Sequence, residues 1–372
     1  MTAFSPATCP RLIVKVGSSL LVTPSGDVRR DWLATLAADI AARIKAGQQI
    51  AVVSSGAIAL GARRLKLAKG GRASLEDAQA AAATGQIALS QIWAELLGAE
   101  GLTAAQMLVT LDDLEDRRRY LNASATLGRL LSLGVVPVIN ENDSVATEEI
   151  RFGDNDRLAA RIAQAAAAQG VILLSDVAGL FEANPLTHPD ARLIERVERI
   201  DARIEAMASG DSGSGMGSGG MASKIAAARI ATGAGVTLAI ASGHVDHPLA
   251  AFDASGRGTI FVAERSATAR KAWLAGGLTA KGEISVDAGA IAALKSGKSL
   301  LAAGATDVTG SFARGDLIAI TAADGRVIAR GLSEYDAADA ASLCGKRSED
   351  HAAILGHEPR GALVHRNHMA LL

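Results

Sequence analysis

The stretch Leu12-Ile-Val-Lys-Val-Gly-Ser18 has the pattern of a buried strand that ends in a turn. Its β-branched and apolar residues favour a strand, and the glycine permits a sharp change of chain direction. Four later segments repeat the pattern and end in small or polar residues: Ile50–Val53, Val135–Ile139, Val171–Leu174 and Val236–Ile240. Helical segments such as Asp31–Ala46 and Leu75–Leu97 lie between them. This alternation predicts an α/β fold, an open and mostly parallel sheet sandwiched by helices.

The pattern changes after Gly276, where short alternating segments separated by turns replace the long helices. The predicted strands there are Glu283–Val286, Ser299–Leu301, Leu317–Thr321 and Val327–Gly331. We therefore predict a large α/β domain that carries the catalytic site over residues 1–265, a linker over 266–280 and a small β-rich domain over 281–372.

Composition limits the classes of protein that fit the 372 residues. The net charge of −1 gives no general reason to expect a polyanionic partner. Two cysteines, Cys9 and Cys344, stand far apart outside any motif, which favours a reducing compartment over a disulfide framework. The N-terminus lacks the basic and apolar regions of a signal peptide, and no apolar run is long enough to cross a bilayer. These features predict a cytoplasmic location and no membrane partner.

Polar groups follow the predicted strands, at the edge where open α/β sheets bind ligands. Lys15 interrupts the first strand, and a buried lysine needs an anionic partner. The alternative is an edge-strand lysine that points to water. Gly17 and the pair Ser55-Gly56 allow backbone amides to approach a ligand closely, although each alone is also an ordinary turn.

Two tetrads, Asn140-Glu-Asn-Asp143 and Gly153-Asp-Asn-Asp156, bring carboxylates and amides together. The second leads into a predicted helix over Arg157–Ala168, so Asp156 is also a candidate N-cap. A turn and a cap need fewer polar groups than the two tetrads supply, which favours a binding site at this edge.

A glycine-rich run, Gly210–Lys224, precedes a strong helix former over Ile225–Ala231. By composition it is a flexible linker. As the start of a helix it offers free amides and a positive dipole end to a phosphate, with Lys224 beside it. The predicted domain boundary lies further along the chain, which favours the phosphate-binding interpretation.

Two lysines, a glycine-rich helix start and an acidic, amide-rich edge are what phosphoryl transfer from magnesium-ATP requires. The sequence contains no HExxH, GxSxG, CxxC or post-strand GxGxxG motif that would indicate other chemistry. The seven histidines have no metal-ligand spacing, and no metal-ligating side chains are predicted.

The chain resembles the glutamate 5-kinase family of the amino-acid kinase superfamily, with a C-terminal PUA domain. The resemblance spans nearly the whole sequence and rests on five motifs in order: Val14-Lys-Val-Gly-Ser18, Ser54-Ser-Gly-Ala-Ile-Ala59, Pro137-Val-Ile-Asn-Glu-Asn-Asp143, Gly153-Asp-Asn-Asp156 and Gly217-Ser-Gly-Gly-Met-Ala-Ser-Lys224.

The resemblance implies ATP-dependent phosphorylation of the side-chain carboxylate of L-glutamate, the first step of proline synthesis, with Mg²⁺ accompanying ATP. It implies that Lys15 and Lys224 stabilise the transferring phosphoryl group and that Asp156 orients both lysines. The residues implied to hold glutamate are Ser55, Asp143 and Asn155. Those implied to hold ATP are Lys15, Ser175, Asp176, Ser218, Gly219, Gly220, Met221, Ala222, Ser223 and Lys224.

The resemblance also implies feedback inhibition by proline, assembly into dimers or tetramers, and a glutamyl phosphate reductase as a partner. Ser54 and Ser175 stand where the family often has threonine, and Arg151 where it often has lysine. The last exchange leaves the contact made there open, because Arg and Lys differ in geometry.

PUA domains elsewhere bind RNA, but residues 281–372 contain ten Lys and Arg against eleven Asp and Glu. RNA binding normally needs a basic patch and stacking aromatics, so RNA is not predicted as a partner. Two alternatives remain. One is a kinase for another acidic amino acid or its N-acetyl form, such as an aspartokinase or an acetylglutamate kinase. The other is a non-catalytic RNA-binding or regulatory protein with the same fold.

Overall fold

The computed structural model describes residues 3–23, 27–145, 154–185, 187–209, 220–264 and 280–372. The chain divides into two compact units. Unit 1 comprises Met1–Leu114 and Ala123–Glu264, and unit 2 comprises Glu115–Asn122 and Arg265–Leu372. The predicted domain boundaries stay a prediction, because all of the linker over 266–280 except residue 280 lies outside the described residues.

Unit 1 is built on a sheet whose strands run in the order β3-β4-β2-β1-β5-β7-β8-β6 within the described residues. Every neighbouring pair is parallel except β7 and β8, as the predicted fold class requires. The strands are β1 (Arg11–Val16), β2 (Gln49–Ser54), β3 (Ala104–Val109), β4 (Val136–Glu141), β5 (Gly170–Ser175), β6 (Arg196–Val197), β7 (Thr237–Ser242) and β8 (Gly258–Phe261).

Ten α-helices are described before residue 264, and those in unit 1 cover the faces of this sheet. They are α1 (Ser18–Leu21), α2 (Arg30–Lys45), α3 (Ala57–Leu65), α4 (Leu75–Ala99), α5 (Leu111–Glu115), α6 (Arg117–Ser132), α7 (Asp154–Ala165), α8 (Ala202–Ser209), α9 (Met221–Gly233) and α10 (Pro248–Ser255). Helix α4 begins where its sequence predicts, since the Ser74 hydroxyl accepts a 3.1 Å hydrogen bond from the amide of Asp77.

Unit 2 contains a second sheet of strand order β10-β9-β11-β12-β13. Its strands are β9 (Gly282–Val286), β10 (Ala305–Gly310), β11 (Leu317–Ala322), β12 (Val327–Leu332) and β13 (Met369–Leu371), and its further helices are α11 (Ala288–Lys295), α12 (Ala337–Leu343) and α13 (His351–Leu355). Phe312 and Tyr335 are buried in the core that these elements enclose. The separate β-rich sheet confirms the predicted fold class of the C-terminal region.

The predicted strand at Ser299–Leu301 is wrong. Leu300 forms only an isolated antiparallel bridge with Val364. The chain turns into a 3-10 helix at Ala302–Gly304, which ends the extended conformation before a ladder can form.

The two cysteines differ in environment. Cys9 is fully buried, its thiol donates to the carbonyl of Arg11, and burial raises its pKa to about 12. Cys344 is half-buried. At pH 8 a thiol of pKa about 12 is ionised in only about one molecule in ten thousand, and the thiolate is the reactive form.

We expect a disulfide reagent added to the native protein at pH 8 to modify Cys344 and to spare Cys9 until denaturant is added. Absorbance of the released thiol would measure the two phases. A Cys344→Ser variant should lose the native phase and keep the denatured one, whereas equal rates at both thiols would contradict the burial of Cys9.

Candidate active site

The carboxyl ends of the five central strands lie side by side, because β4, β2, β1, β5 and β7 are consecutive and parallel. Chain segments that leave these ends therefore share one edge of the sheet. The predicted site residues Ser55, Asp143, Ser175 and Asp176 lie at or just beyond these strand ends.

Lys15 lies on β1, the middle strand of these five, opposite Val53 on β2 and Leu173 on β5. Its side chain is buried and pairs with a carboxylate. The alternative of an edge-strand lysine that points to water is therefore wrong.

Asp156 joins the two predicted lysines. One carboxylate oxygen, Oδ1, lies 2.5 Å from Lys15 Nζ, and the other, Oδ2, lies 3.0 Å from Lys224 Nζ. The carboxylate is fully buried, and the two lysines are 6% and 5% exposed. One buried carboxylate thus pairs with two ammonium groups at the edge of the sheet.

Two helices bring these groups together. Asp156 lies in the first turn of α7 and Lys224 in the first turn of α9, and the two helices pack against each other. The interpretation of Asp156 as an N-cap is wrong, because α7 begins at Asp154 and both carboxylate oxygens of Asp156 pair with lysines.

Burial and charge act in opposite directions on this cluster. Burial raises the pKa of Asp156, but the charges of Lys15 and Lys224 outweigh it, so that the pKa lies below its ordinary value. Burial lowers the pKa of Lys15, and Asp156 offsets only part of that effect because Lys224 repels the same charge. The ionised carboxylate is the form that the site stabilises.

Two of the three residues predicted to bind glutamate, Ser55 and Asn155, lie in a hydrogen-bond network of side-chain amides. The Asn155 amide nitrogen donates to Ser55 Oγ at 2.9 Å and to Asn140 Oδ1 at 3.1 Å. The Asn140 amide nitrogen donates in turn to Gln86 Oε1 at 2.8 Å. No sequence motif marks Gln86; the available signal was a polar residue on a buried, alanine-rich face of α4.

The turn that carries Ser55 depends on the next residue. Gly56 has a φ of 106°, in the left-handed region that favours glycine, and forms the N-cap of α3. Gly17 has a φ of −71°, which any residue adopts. The conformation therefore requires glycine at Gly56 but not at Gly17, and the approach of either backbone to a ligand stays a prediction.

The remaining predicted residues lie around this cluster. Asp143 is largely buried, and its charge partly offsets the lowering of the pKa of Arg72 by burial. Ser175 Oγ donates to Asp176 Oδ1 at 2.9 Å. Gly220 is the N-cap of α9, and Met221, Ala222 and Ser223 precede Lys224 in its first turn.

Several predicted features lie outside the described residues: Ser218, Gly219, Arg151 and positions 210–217 of the glycine-rich run. The choice between linker and phosphate-binding loop for that run therefore stays a prediction.

Comparison with known proteins identifies the family. The family model described as the amino acid kinase family matches residues 10–242. The chain belongs to the amino acid kinase family. It is therefore a phosphotransferase. A second family model, that of the PUA domain, matches residues 282–355.

Curated relatives narrow the family further. A glutamate 5-kinase of Sphingopyxis alaskensis is 73% identical over the full length of both chains. Those of Zymomonas mobilis and Novosphingobium aromaticivorans are 65% and 61% identical, over 99% and 98% of this chain and 93% and 97% of theirs. The chain thus belongs among the glutamate 5-kinases of the amino acid kinase family.

Two further findings concern metal binding and membrane crossing. Among the described residues, no group of three or more His, Cys, Asp or Glu side chains could hold a metal ion. None of the helices in the described part of the chain combines the length and hydropathy that crossing a membrane requires.

Proposed function

We propose that the protein transfers the γ-phosphoryl group of ATP to the γ-carboxylate of L-glutamate, giving L-glutamyl 5-phosphate for proline biosynthesis. The observation that carries the proposal is the pair of buried lysines on the two oxygens of Asp156. The printed names of the relatives, at up to 73% identity over the whole chain, support the choice of glutamate.

The two ammonium groups address the main barrier to this reaction, the repulsion between a carboxylate and a triphosphate. Charge on the phosphoryl oxygens is redistributed in the transition state, and fixed cations in a water-poor site stabilise it strongly. Lys15 and Lys224 would supply these cations, while Asp156 holds them in place and limits their mutual repulsion. Asp156 thereby orients the lysines without itself reacting.

The proposed mechanism needs no general base. A glutamate side chain has a pKa of about 4.3, so the attacking oxygen is already ionised near neutral pH. The carboxylate would attack the γ-phosphorus in line, and ADP would leave with the electron pair of the broken bond.

The proposed division of binding residues follows the two sides of the cluster. Ser55, Asn155 and Asp143 would hold glutamate, because hydroxyl, amide and carboxylate groups suit an amino acid. Lys15, Ser175, Asp176 and residues 218–224 would hold ATP, because the first turn of α9 offers amides to a phosphate.

Magnesium suits this site as a companion of the nucleotide. Mg²⁺ is usually bound by one or two carboxylates, water and substrate phosphates. Asp176, which follows β5 and accepts a hydrogen bond from Ser175, would supply a carboxylate for such a role. Bound with ATP, the ion would neutralise charge on the phosphates.

The resemblance to glutamate 5-kinases carries three further proposals that concern partners. They are feedback inhibition by proline, a homo-oligomer and delivery of the labile product to a glutamyl phosphate reductase. RNA is not proposed as a ligand of the PUA domain, for the reason of charge given above.

A single assay separates the proposal from its alternatives. The purified protein is incubated with magnesium-ATP, hydroxylamine and one candidate amino acid at a time. We expect hydroxamate with L-glutamate and at least about a hundredfold less with L-aspartate or N-acetyl-L-glutamate, since each alters the length or the amino group that the proposed site would recognise. A folded protein that forms hydroxamate with none of them would refute the enzymatic proposals, and preference for another substrate would reassign the enzyme.

A further inference from the structure

The amide network at the site continues into helix α4, where its hydrogen-bond direction is determined. The Ser90 hydroxyl donates its only proton to the backbone carbonyl of Gln86 at 2.8 Å. Ser90 Oγ can therefore act only as an acceptor toward the side chain of Gln86, whose Nε2 lies 3.3 Å away. This contact directs the amide nitrogen of Gln86 toward Ser90 and its oxygen toward Asn140.

Each following amide is then oriented by the one before it. Gln86 Oε1 is an acceptor, so Asn140 must present its NH2 group to it, and this turns Asn140 Oδ1 toward Asn155. Asn155 must in turn present its NH2 group, which also donates to Ser55 Oγ. The direction of the network is thus transmitted from α4 to the sheet edge through three amides.

Asn155, the last amide of the network, has one hydrogen-bond acceptor that is not satisfied. Asn155 Oδ1 is buried and has no hydrogen-bond partner among the described residues. A buried acceptor without a donor is costly, so the site requires a hydrogen-bond donor that the described residues do not supply. Ser55 Oγ, which accepts from Asn155, keeps its own proton for another acceptor. A free acceptor next to a free donor fits the ammonium and carboxylate groups of an α-amino acid.

We propose that Gln86 and Ser90 are positioning residues that fix the orientation of the Asn155 amide, so that its oxygen accepts a hydrogen bond from the α-ammonium group of the substrate. Gln86 is largely buried, and it lines a pocket of about 470 Å³ together with Asp143. This inference rests on the proposed function, because it concerns how glutamate is recognised.

The test compares glutamate with glutarate, a dicarboxylate of the same length that lacks the amino group. The substitution Gln86→Met removes both hydrogen bonds of Gln86 at similar volume and leaves the Asn140 and Asn155 amides free to turn over. We expect the KM for glutamate to rise about tenfold, the usual value of a hydrogen bond to a charged group. The inhibition constant of glutarate against glutamate should stay within about twofold, because glutarate has no ammonium group to lose.

Three further variants make the test specific. Gln91→Met is the same exchange at an exposed position of α4 and should leave both constants unchanged. Gln86→Glu keeps an acceptor toward Asn140 and should retain most of the preference for glutamate. Ser90→Ala keeps the packing of Gln86 but removes its acceptor, and should raise the glutamate KM about threefold even if Gln86→Met fails to fold.

The outcomes distinguish the two proposals. If the wild-type protein forms no hydroxamate with glutamate, the proposed function fails. If it does, and Gln86→Met and Ser90→Ala either change neither constant or weaken glutamate and glutarate equally, the orienting role of α4 is overturned. A loss confined to glutamate, with the KM for ATP unchanged, supports it.

Discussion

Replacing Lys224 by alanine is expected to lower kcat about a thousandfold, while the KM for glutamate changes less than about fivefold. The Lys224 ammonium group is buried and lies 3.0 Å from Asp156 Oδ2, where it would meet the transferring phosphoryl group. A fixed cation acts mainly on charge that develops in the transition state, so its loss appears in kcat rather than in substrate affinity. Three powers of ten correspond to about 4 kcal/mol of activation free energy. Steady-state rates with hydroxylamine trapping would measure both constants.

Two companion variants separate charge from packing. Lys224→Met keeps most of the aliphatic chain and should be nearly as slow as Lys224→Ala if the charge is what matters. Lys45→Ala, at the exposed C-terminal end of α2, should leave kcat unchanged. A normal kcat with a greatly raised KM in Lys224→Ala would assign the residue to binding and contradict its role in transfer.

The central part of the fold was accessible from sequence because burial on both faces leaves a continuous apolar run. β1, β2 and β5 each have at least five buried residues of six, and each was predicted within one residue at either end. β3, at the end of the sheet, is largely exposed or half-buried and carries no such run. β10 in unit 2 is likewise mostly exposed and was not predicted. Edge strands depend on pairing with a neighbour, which the local sequence does not report.

The site was predicted unevenly for a similar reason. Lys15 and Asp156 attract attention because a buried charge requires a partner, and each proves to be the other's partner. Gln86 does not, because a single glutamine on an alanine-rich helix is also compatible with an exposed face. Its role depends on contacts 54 and 4 residues away along the chain, to Asn140 and Ser90. Ser90 lies one turn further along α4, but the contact with Asn140 forms only when the sheet and α4 are assembled.

The close packing of α4 against α3 depends on Gly85, a residue outside every sequence motif. Its replacement is expected to cause a large loss of stability. A Cβ atom at Gly85 would lie 1.8 Å from the carbonyl oxygen of Ala57 and 2.6 Å from the amide nitrogen of Gly61. Both contacts are with backbone, so one helix must move as a whole to relieve them. We expect Gly85→Ala to lower the free energy of unfolding of unit 1 by about 3 kcal/mol or more. Urea denaturation followed by tryptophan fluorescence, to which the buried Trp32 and Trp93 of unit 1 contribute, would measure the change.

Gly98 offers a matched control, because it lies on α4 as well and a Cβ atom there meets nothing within 4 Å. Gly98→Ala should stabilise the protein by about 0.5–1 kcal/mol, since alanine loses less backbone entropy than glycine in a helix. If the same exchange lowers stability at Gly85 and raises it at Gly98, the α3–α4 contact is identified as the cause of the loss. Because α3 begins directly after Ser55 and Gly56, displacement of α3 should also raise the KM for glutamate. If Gly85→Ala were as stable as the wild type with an unchanged KM, the close approach of these helices would not be what holds Ser55 at the site.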